Sequence, residues 1–176
     1  SGASLLPSLY ESVKIEPRQH IYVFVGFTDE EENRVGSSFY AHDMTREQVA
    51  ATSAMINLDT LGLSSTKVWT HRSDLLLTRA LNGVAKRLEL PFGGVSFEWL
   101  GYSTDSESFR SLKIPRITIH SLTQRSMDNH ILHTVQDQLS AMNLDDYYDT
   151  YHLVTAYLVY LDNLLGEPEA AKTPAP

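Results

Sequence analysis

The stretch His20-Ile21-Tyr22-Val23-Phe24-Val25-Gly26-Phe27-Thr28-Asp29-Glu30-Glu31 decides how this chain is read. Its first eight residues are dense in β-branched and aromatic side chains, the composition of a buried strand. Acidic residues follow at once, as Asp29, Glu30, Glu31 and Glu32. A strand that ends on carboxylates carries charge to the place where open α/β sheets gather their function, the carboxyl ends of the strands.

Outward from that stretch, helix-like and strand-like segments alternate. Ser4 to Lys14 carries Leu5, Leu6, Leu9 and Val13 near helical spacing, with Pro7 tolerable only in a first turn. Gly36 to Ala41 suits a short helix. Thr45 and Gln48 fit a capping box that opens a helix through about Ala54. Met55 to Leu58 reads as a second strand ending at Asp59, and Lys67 to Thr70 as a third. Ser73 to Leu88 has an apolar helical stripe at Leu76, Leu77, Ala80, Leu81 and Val84, with Ser73 as its expected cap. Pro91, Gly93 and Gly94 break the chain before a short strand at Val95 to Leu100. Glu107 to Leu112 is expected as a short helix, Ile117 to Leu122 as a strand, and Thr123 to Gln138 as a polar loop. A last helix runs from about Leu144 to Leu165, crowded with Tyr147, Tyr148, Tyr151, Tyr157 and Tyr160. Packing is the expected use of those rings. This order predicts an α/β domain of three layers, with a mainly parallel or mixed sheet flanked by helices. One domain is expected over residues 1–165, followed by a flexible tail at 166–176 with three prolines.

Composition narrows the partners. The chain has 176 residues, 42% apolar and 20% charged, enough for one packed domain and too apolar for disorder. Acidic residues outnumber basic ones 22 to 14, and the net charge of −8 disfavours nucleic acid and anionic membrane as partners. No apolar run approaches the roughly 20 residues of a membrane helix. The absence of cysteine excludes disulfides, thiolate metal sites and cysteine nucleophiles. The start at Ser1-Gly2-Ala3-Ser4, without Met, reads as a processed or trimmed product.

Adjacent carboxylates beside a buried strand are costly, and a bound cation relieves the cost. Glu30 and Glu31 divide naturally into a proton acceptor and a metal ligand. Asp59 is a candidate second oxygen ligand, and His133 a candidate nitrogen ligand. A Glu/Asp/His set suits zinc with an open position for water. Read without further context, each piece also has a plain structural use: a solvated acidic loop, a helix cap and a surface histidine.

The motifs in order sharpen this choice. Phe24-Val25-Gly26-Phe27-Thr28-Asp29-Glu30-Glu31, followed by Gly36-Ser37, resembles a segment of the zinc aminopeptidases of metallopeptidase family twenty-eight. Ile56-Asn57-Leu58-Asp59-Thr60-Leu61-Gly62 is similar to that family's "I-N-L-D-M-x-G". Ser103-Thr104-Asp105-Ser106-Glu107-Ser108-Phe109, with Ile114-Pro115, is similar to its "S-D-H-x-x-F … G-I-P". Leu132-His133-Thr134 with Asp137 is similar to its "Y-H-T-x-x-D". Four blocks in register cover nearly the whole chain. The glutaminyl cyclases share this framework.

By this resemblance Glu30 is the general base, Glu31 and His133 are zinc ligands, and Asp59 is either a ligand of a second zinc or a catalytic acid. Asp105, Ser106, His120 and Asp137 are candidates for supporting or substrate contacts, Asp137 as a partner for the second ring nitrogen of His133. The implied reaction is hydrolysis of amino-terminal peptide bonds by zinc-activated water, with one or two zinc ions and a peptide substrate. The alternatives are a glutaminyl cyclase-like acyltransferase and a non-catalytic binding module of the same fold. The family pattern also needs an upstream His and a bridging Asp just before a "S-G-A". The chain is therefore expected to be a carboxyl-terminal portion that lacks both ligands and one or more strands, and to be incomplete or inactive alone. The cyclases carry a tryptophan after the paired glutamates, and none lies between Glu31 and Gly36. Ser106 stands where the family often has His, and Asn33 where Gly is common. A truncated sheet would expose an edge and favour self-association. The expected compartment is secreted or periplasmic.

Overall fold

The computed structural model describes residues 1–14, 18–96, 103–128 and 131–166. The expected tail at 166–176 lies almost wholly outside them.

Helix α1 spans Gly2–Val13, α2 Val35–Asp43, α3 Arg46–Ala51, α4 Leu75–Arg87, α5 Gln124–Asp128 and α6 Leu144–Gly166. Strand β1 is Met55–Leu58, β2 Thr66–Trp69, β3 Phe92–Val95 and β4 Arg116–His120. The strands form one sheet in the order β1-β4-β2-β3. β1 runs parallel to β4, with Ile56 opposite Ile117 and Leu58 opposite Ile119. β2 and β3 are parallel to each other, and β2 is antiparallel to β4. The sheet is therefore mixed.

Strand alternation sets the two faces. Ile56, Leu58, Ile117 and Ile119 join the main core, where α1, α4 and α6 contribute Leu5, Leu9, Leu77, Leu81, Leu153 and Tyr157. Met55 belongs to a second, smaller cluster with Phe27, Ala41, Phe109 and Ile114. Helices thus cover both faces, the three-layer arrangement the element order implies. Three of the α6 tyrosines, Tyr147, Tyr151 and Tyr157, pack on the main core, while Tyr148 and Tyr160 are exposed. The Tyr157 hydroxyl donates to the Leu77 carbonyl at 3.0 Å, and those of Tyr147 and Tyr151 meet the hydroxyls of Ser4 and Ser12 on α1.

Several elements differ from their sequence reading. Residues 20–27 are extended but belong to no strand. Tyr22 and Phe24 pack on the core while Ile21 and Val23 stand 91% and 68% exposed, so the alternation of a strand is present without a described neighbour to pair with. The expected strand at Val95 to Leu100 falls mostly on residues 97–102, outside the described set, and a strand is present at Phe92–Val95. Two glycines do not break that strand. A Cβ on Gly94 would meet the Thr70 methyl at 2.6 Å, so the small residue admits close packing there. The cap of α4 is Asp74, whose carboxylate accepts from the amides of Leu76 and Leu77, whereas Ser73 accepts from the Thr118 amide of β4. The polar stretch expected as loop contains α5. α1 begins at Gly2, which puts Pro7 inside the helix rather than in its first turn. The capping box at Thr45 and Gln48 is present, with both reciprocal bonds made, but α3 ends at Ala51.

Candidate metal centre

The turn that follows the extended segment aims Glu30 and Glu31. Three backbone bonds close it, from the amides of Arg34, Val35 and Gly36 to the carbonyls of Glu30, Asp29 and Thr28. A Cβ on Gly36 would meet the Thr28 carbonyl oxygen at 2.6 Å, so glycine is required at that approach. Asp29, Asn33 and Arg34 all adopt left-handed φ angles of 54°, 63° and 60°. Asn is the best tolerated non-glycine residue in that region, which explains why it replaces the family's Gly at position 33.

Asp59 leaves the carboxyl end of β1, its amide bonded to the Ile119 carbonyl at 3.1 Å. Thr60 follows at φ 47°, a strained value for a β-branched residue. Its hydroxyl donates to Asp59 Oδ1 at 3.0 Å, and its carbonyl accepts from the amide and hydroxyl of Ser121. The neighbouring strand thereby holds the strained link that orients Asp59. His133 is also left-handed, at φ 62°. Backbone strain of roughly 1–3 kcal/mol per such residue gathers around the acids and the histidine, as it does at functional sites.

Glu30, Asp59, Glu31 and Asp105 act on one another electrostatically. Burial, then the charges of Asp59, Glu31 and Asp105, push the Glu30 carboxyl up to about 7. Burial and Asp59 raise Asp105 as well, while the Ser37 hydroxyl and Arg34 pull it down. One Asp105 oxygen is buried without a hydrogen-bond partner. His133 Nε2 lies 3.2 Å from Glu31 Oε1, in an exposed pair.

The other candidates have structural partners. Asp137 accepts from the backbone amide of His133 at 3.3 Å, which caps the loop that carries the imidazole. Ser106 is 1% exposed and shares hydrogen bonds with Thr104 and Thr118 at 3.1 and 2.8 Å, which turns its hydroxyl inward rather than toward substrate. His120 is buried. Its Nδ1 accepts from the Leu122 amide and its ring packs against Trp69, while burial and the Lys67 charge push its pKa down to about 4. That imidazole is neutral and held in the core.

Arg34 was not signalled by the sequence reading. Its guanidinium donates to Ser103 and its charge moderates both Glu30 and Asp105. The left-handed turn delivers it there, and no spacing rule marks such a position.

Zinc fits these residues only in part. Glu31 and His133 are a suitable oxygen and nitrogen donor in contact, and Glu30 beside them is suited to hold a proton. Among the described residues, however, no group of three or more His, Cys, Asp or Glu stands close enough to hold a metal ion. The two touching donors fall short of the three protein ligands of a catalytic zinc site.

An α/β domain with Asp59 at the carboxyl end of β1 and further acids beside it places its charge where such sheets bind ligands. The profile of peptidase family M28 matches residues 1–158, and the chain belongs to that family. Solved structures agree in fold. The zinc aminopeptidase BSAP from Bacillus subtilis superposes with a TM-score of 0.78 at 17% identity, over 90% of this chain and 40% of that one. LapB from Legionella pneumophila gives 0.69 at 22% identity, over 79% and 39%. A glutaminyl cyclase from Porphyromonas gingivalis gives 0.56 at 17% identity, over 77% and 52%. The chain thus spans about half or less of the length of each of these proteins. No curated protein sequence matches it.

Proposed function

We propose that this chain carries the proton-transfer residue and part of the metal shell of a zinc-dependent exopeptidase that releases residues from peptide amino termini. The observation that supports it best is Glu30, a carboxyl pushed up to about 7 beside the Glu31–His133 contact. A group with that pKa both accepts and returns a proton near neutral pH. In hydrolysis Glu30 takes a proton from the attacking water as its oxygen bonds to the peptide carbonyl carbon. It then gives that proton to the leaving amine as the carbon–nitrogen bond breaks. Asp105 and Asp59 add negative charge that suits the ammonium group of a free amino terminus. Membership of peptidase family M28 supports the reaction class. Two donors in contact support a metal centre that needs ligands beyond Glu31 and His133.

The test is an aminoacyl-arylamide assay on the gene product containing these residues, with and without chelator, beside Glu30→Gln. The expected result is turnover that the chelator abolishes, and a Glu30→Gln protein that keeps its zinc and loses activity. Chelator-resistant activity would overturn the reading. Conversion of amino-terminal glutamine without residue release would replace it by the cyclase reading, and neither activity in a zinc-loaded protein would favour a binding module.

A further inference from the structure

Glu107 lies in the 3-10 helix Asp105–Phe109, on the sheet face opposite the main core, and is 16% exposed. Three arginines converge on it. Arg110 Nη1 donates to its Oε1 at 3.0 Å. Arg116 Nη2 reaches Oε2 at 3.4 Å, and Arg72 Nη1 stands 4.0 Å from the same oxygen. Among the described residues one carboxylate meets three positive charges, an excess of +2 in a chain whose net charge is −8.

That excess is not simply solvated. Arg116 and Arg72 are only 18% and 28% exposed, so water screens them poorly. A charge-assisted N–H···O contact settles near 2.7–2.9 Å, and neither of these two arginines attains it. Arg116 Nε is buried with no acceptor among the described residues. Arg72 is held by its stack on Trp69, 5.3 Å from the ring centroid. Two planar forks therefore share one oxygen loosely, with donors to spare. A structural clamp for Glu107 needs Arg110 alone, since Arg110 makes the short bond.

We propose that Arg72 and Arg116, with Arg110 at the rim, bind a free tetrahedral oxyanion of the phosphate or sulfate type. A dianion neutralises the +2 excess and supplies the acceptors that the forks lack. The arginines stand away from Asp59, although Glu107 shares its 3-10 helix with Asp105. Arg116 opens β4, whereas Ser121, just past the other end of β4, bonds to Thr60 beside Asp59. The five residue steps from Arg116 to Ser121 separate the two ends by about 16 Å at roughly 3.3 Å per residue.

The test is titration of the 176-residue chain with sodium sulfate and with sodium phosphate, at ionic strength held constant with chloride. Tryptophan fluorescence and thermal midpoint are the readouts, because Arg72 covers Trp69. Expected is a saturable change with both oxyanions, weakened about tenfold or more in Arg116→Gln and in Arg72→Gln. Glu107→Gln removes the competing carboxylate and is expected to bind the anion more tightly. A plain clamp predicts the reverse, loss of stability with no gain in anion affinity. A change that chloride reproduces, or sulfate binding unaltered in both arginine variants, would overturn the proposal. Should Glu107→Gln fail to fold, the two arginine variants decide alone.

Discussion

His133 Nε2 lies 3.2 Å from Glu31 Oε1, and this contact joins the loop before α6 to the turn after the extended segment. Both side chains are more than half exposed, so as an ion pair the contact contributes little, about 0–1 kcal/mol. Its interest is that the two donors meet on strained backbone, with His133 at φ 62° and Asp29 before Glu30 at φ 54°.

Two donors predict weak zinc binding by this chain. Zinc titration is expected to give a low-affinity site that dialysis empties. Loss of a group that merely supports a metal ligand costs about 10–100-fold in affinity, so Glu31→Ala or His133→Ala is expected to cost at least as much. A tight stoichiometric site would show that further ligands gather within the chain. Weak binding that survives both substitutions would place the metal elsewhere.

Glu30 makes stability depend on pH in a stated direction. Its folded-state pKa is raised from 4.5 to about 7, so the folded chain holds the proton more firmly than the unfolded chain. Below pH 4.5 the group is protonated in both states and costs nothing. Between 4.5 and 7 the unfolded state releases the proton first, and stability falls as pH rises. Glu30→Gln removes this dependence. The variant is expected to match the parent near pH 4 and to exceed it by about 1–2 kcal/mol at pH 8, a discounted figure because solvent reaches the site. Urea unfolding at both pH values checks it, and equal stability at pH 8 would remove the burial argument for Glu30 as the proton carrier.

The parts of the fold that are local were legible in the sequence. Thr45 and Gln48 satisfy each other across four residues, and Met55–Leu58 is a short apolar strand bounded by polar ends, so both are visible without tertiary knowledge. Residues 20–27 have the composition of a strand, yet strand state is a property of two partners, and composition reports only one. Asp74 displaced Ser73 as the α4 cap because Ser73 answers the amide of Thr118, a contact set by the sheet. At the site, Asp59 was readable as a strand-end acid, whereas Glu30 follows a segment that forms no strand. The inward turn of Ser106 and the arrival of Arg34 depend on Thr118 and on left-handed backbone at 33 and 34, which no spacing in the sequence reveals.

Asp162 anchors the extended segment to α6. Its carboxylate, 6% exposed, accepts from the amides of Gln19 and His20 at 2.8 and 2.9 Å and meets His20 Nδ1 at 3.2 Å. These bonds outweigh burial and hold its pKa below the usual aspartate value of 3.8. A lowered folded-state pKa gives stability that is fully present above 3.8 and lost as pH falls below it. Asp162→Ala leaves two amides without an acceptor and is expected to cost about 1–3 kcal/mol at neutral pH. The gap from the parent is expected to narrow below about pH 4. Amide exchange should accelerate first at residues 19–24. Unchanged exchange there would show that Tyr22, through its bond to the Leu158 carbonyl, anchors the segment alone.

The outer edge of β1 predicts association. β1 pairs only with β4 among the described strands, so its other side has no described strand partner. Residues 20–27 lie on the same core with Ile21 and Val23 largely exposed. Unpaired strand edges with apolar side chains recruit further strands, and a charged residue on the edge opposes this. Sedimentation velocity is expected to show the 176-residue chain associating as concentration rises. Ile21→Lys with Val23→Lys is expected to shift it toward monomer without loss of the thermal transition, because both side chains face solvent and contribute little to the core. Association that the double variant leaves untouched would assign it to another surface, for which the exposed Val35 and Phe39 of α2 are the next residues to change. A chain that stays monomeric throughout would mean that the edge is already shielded.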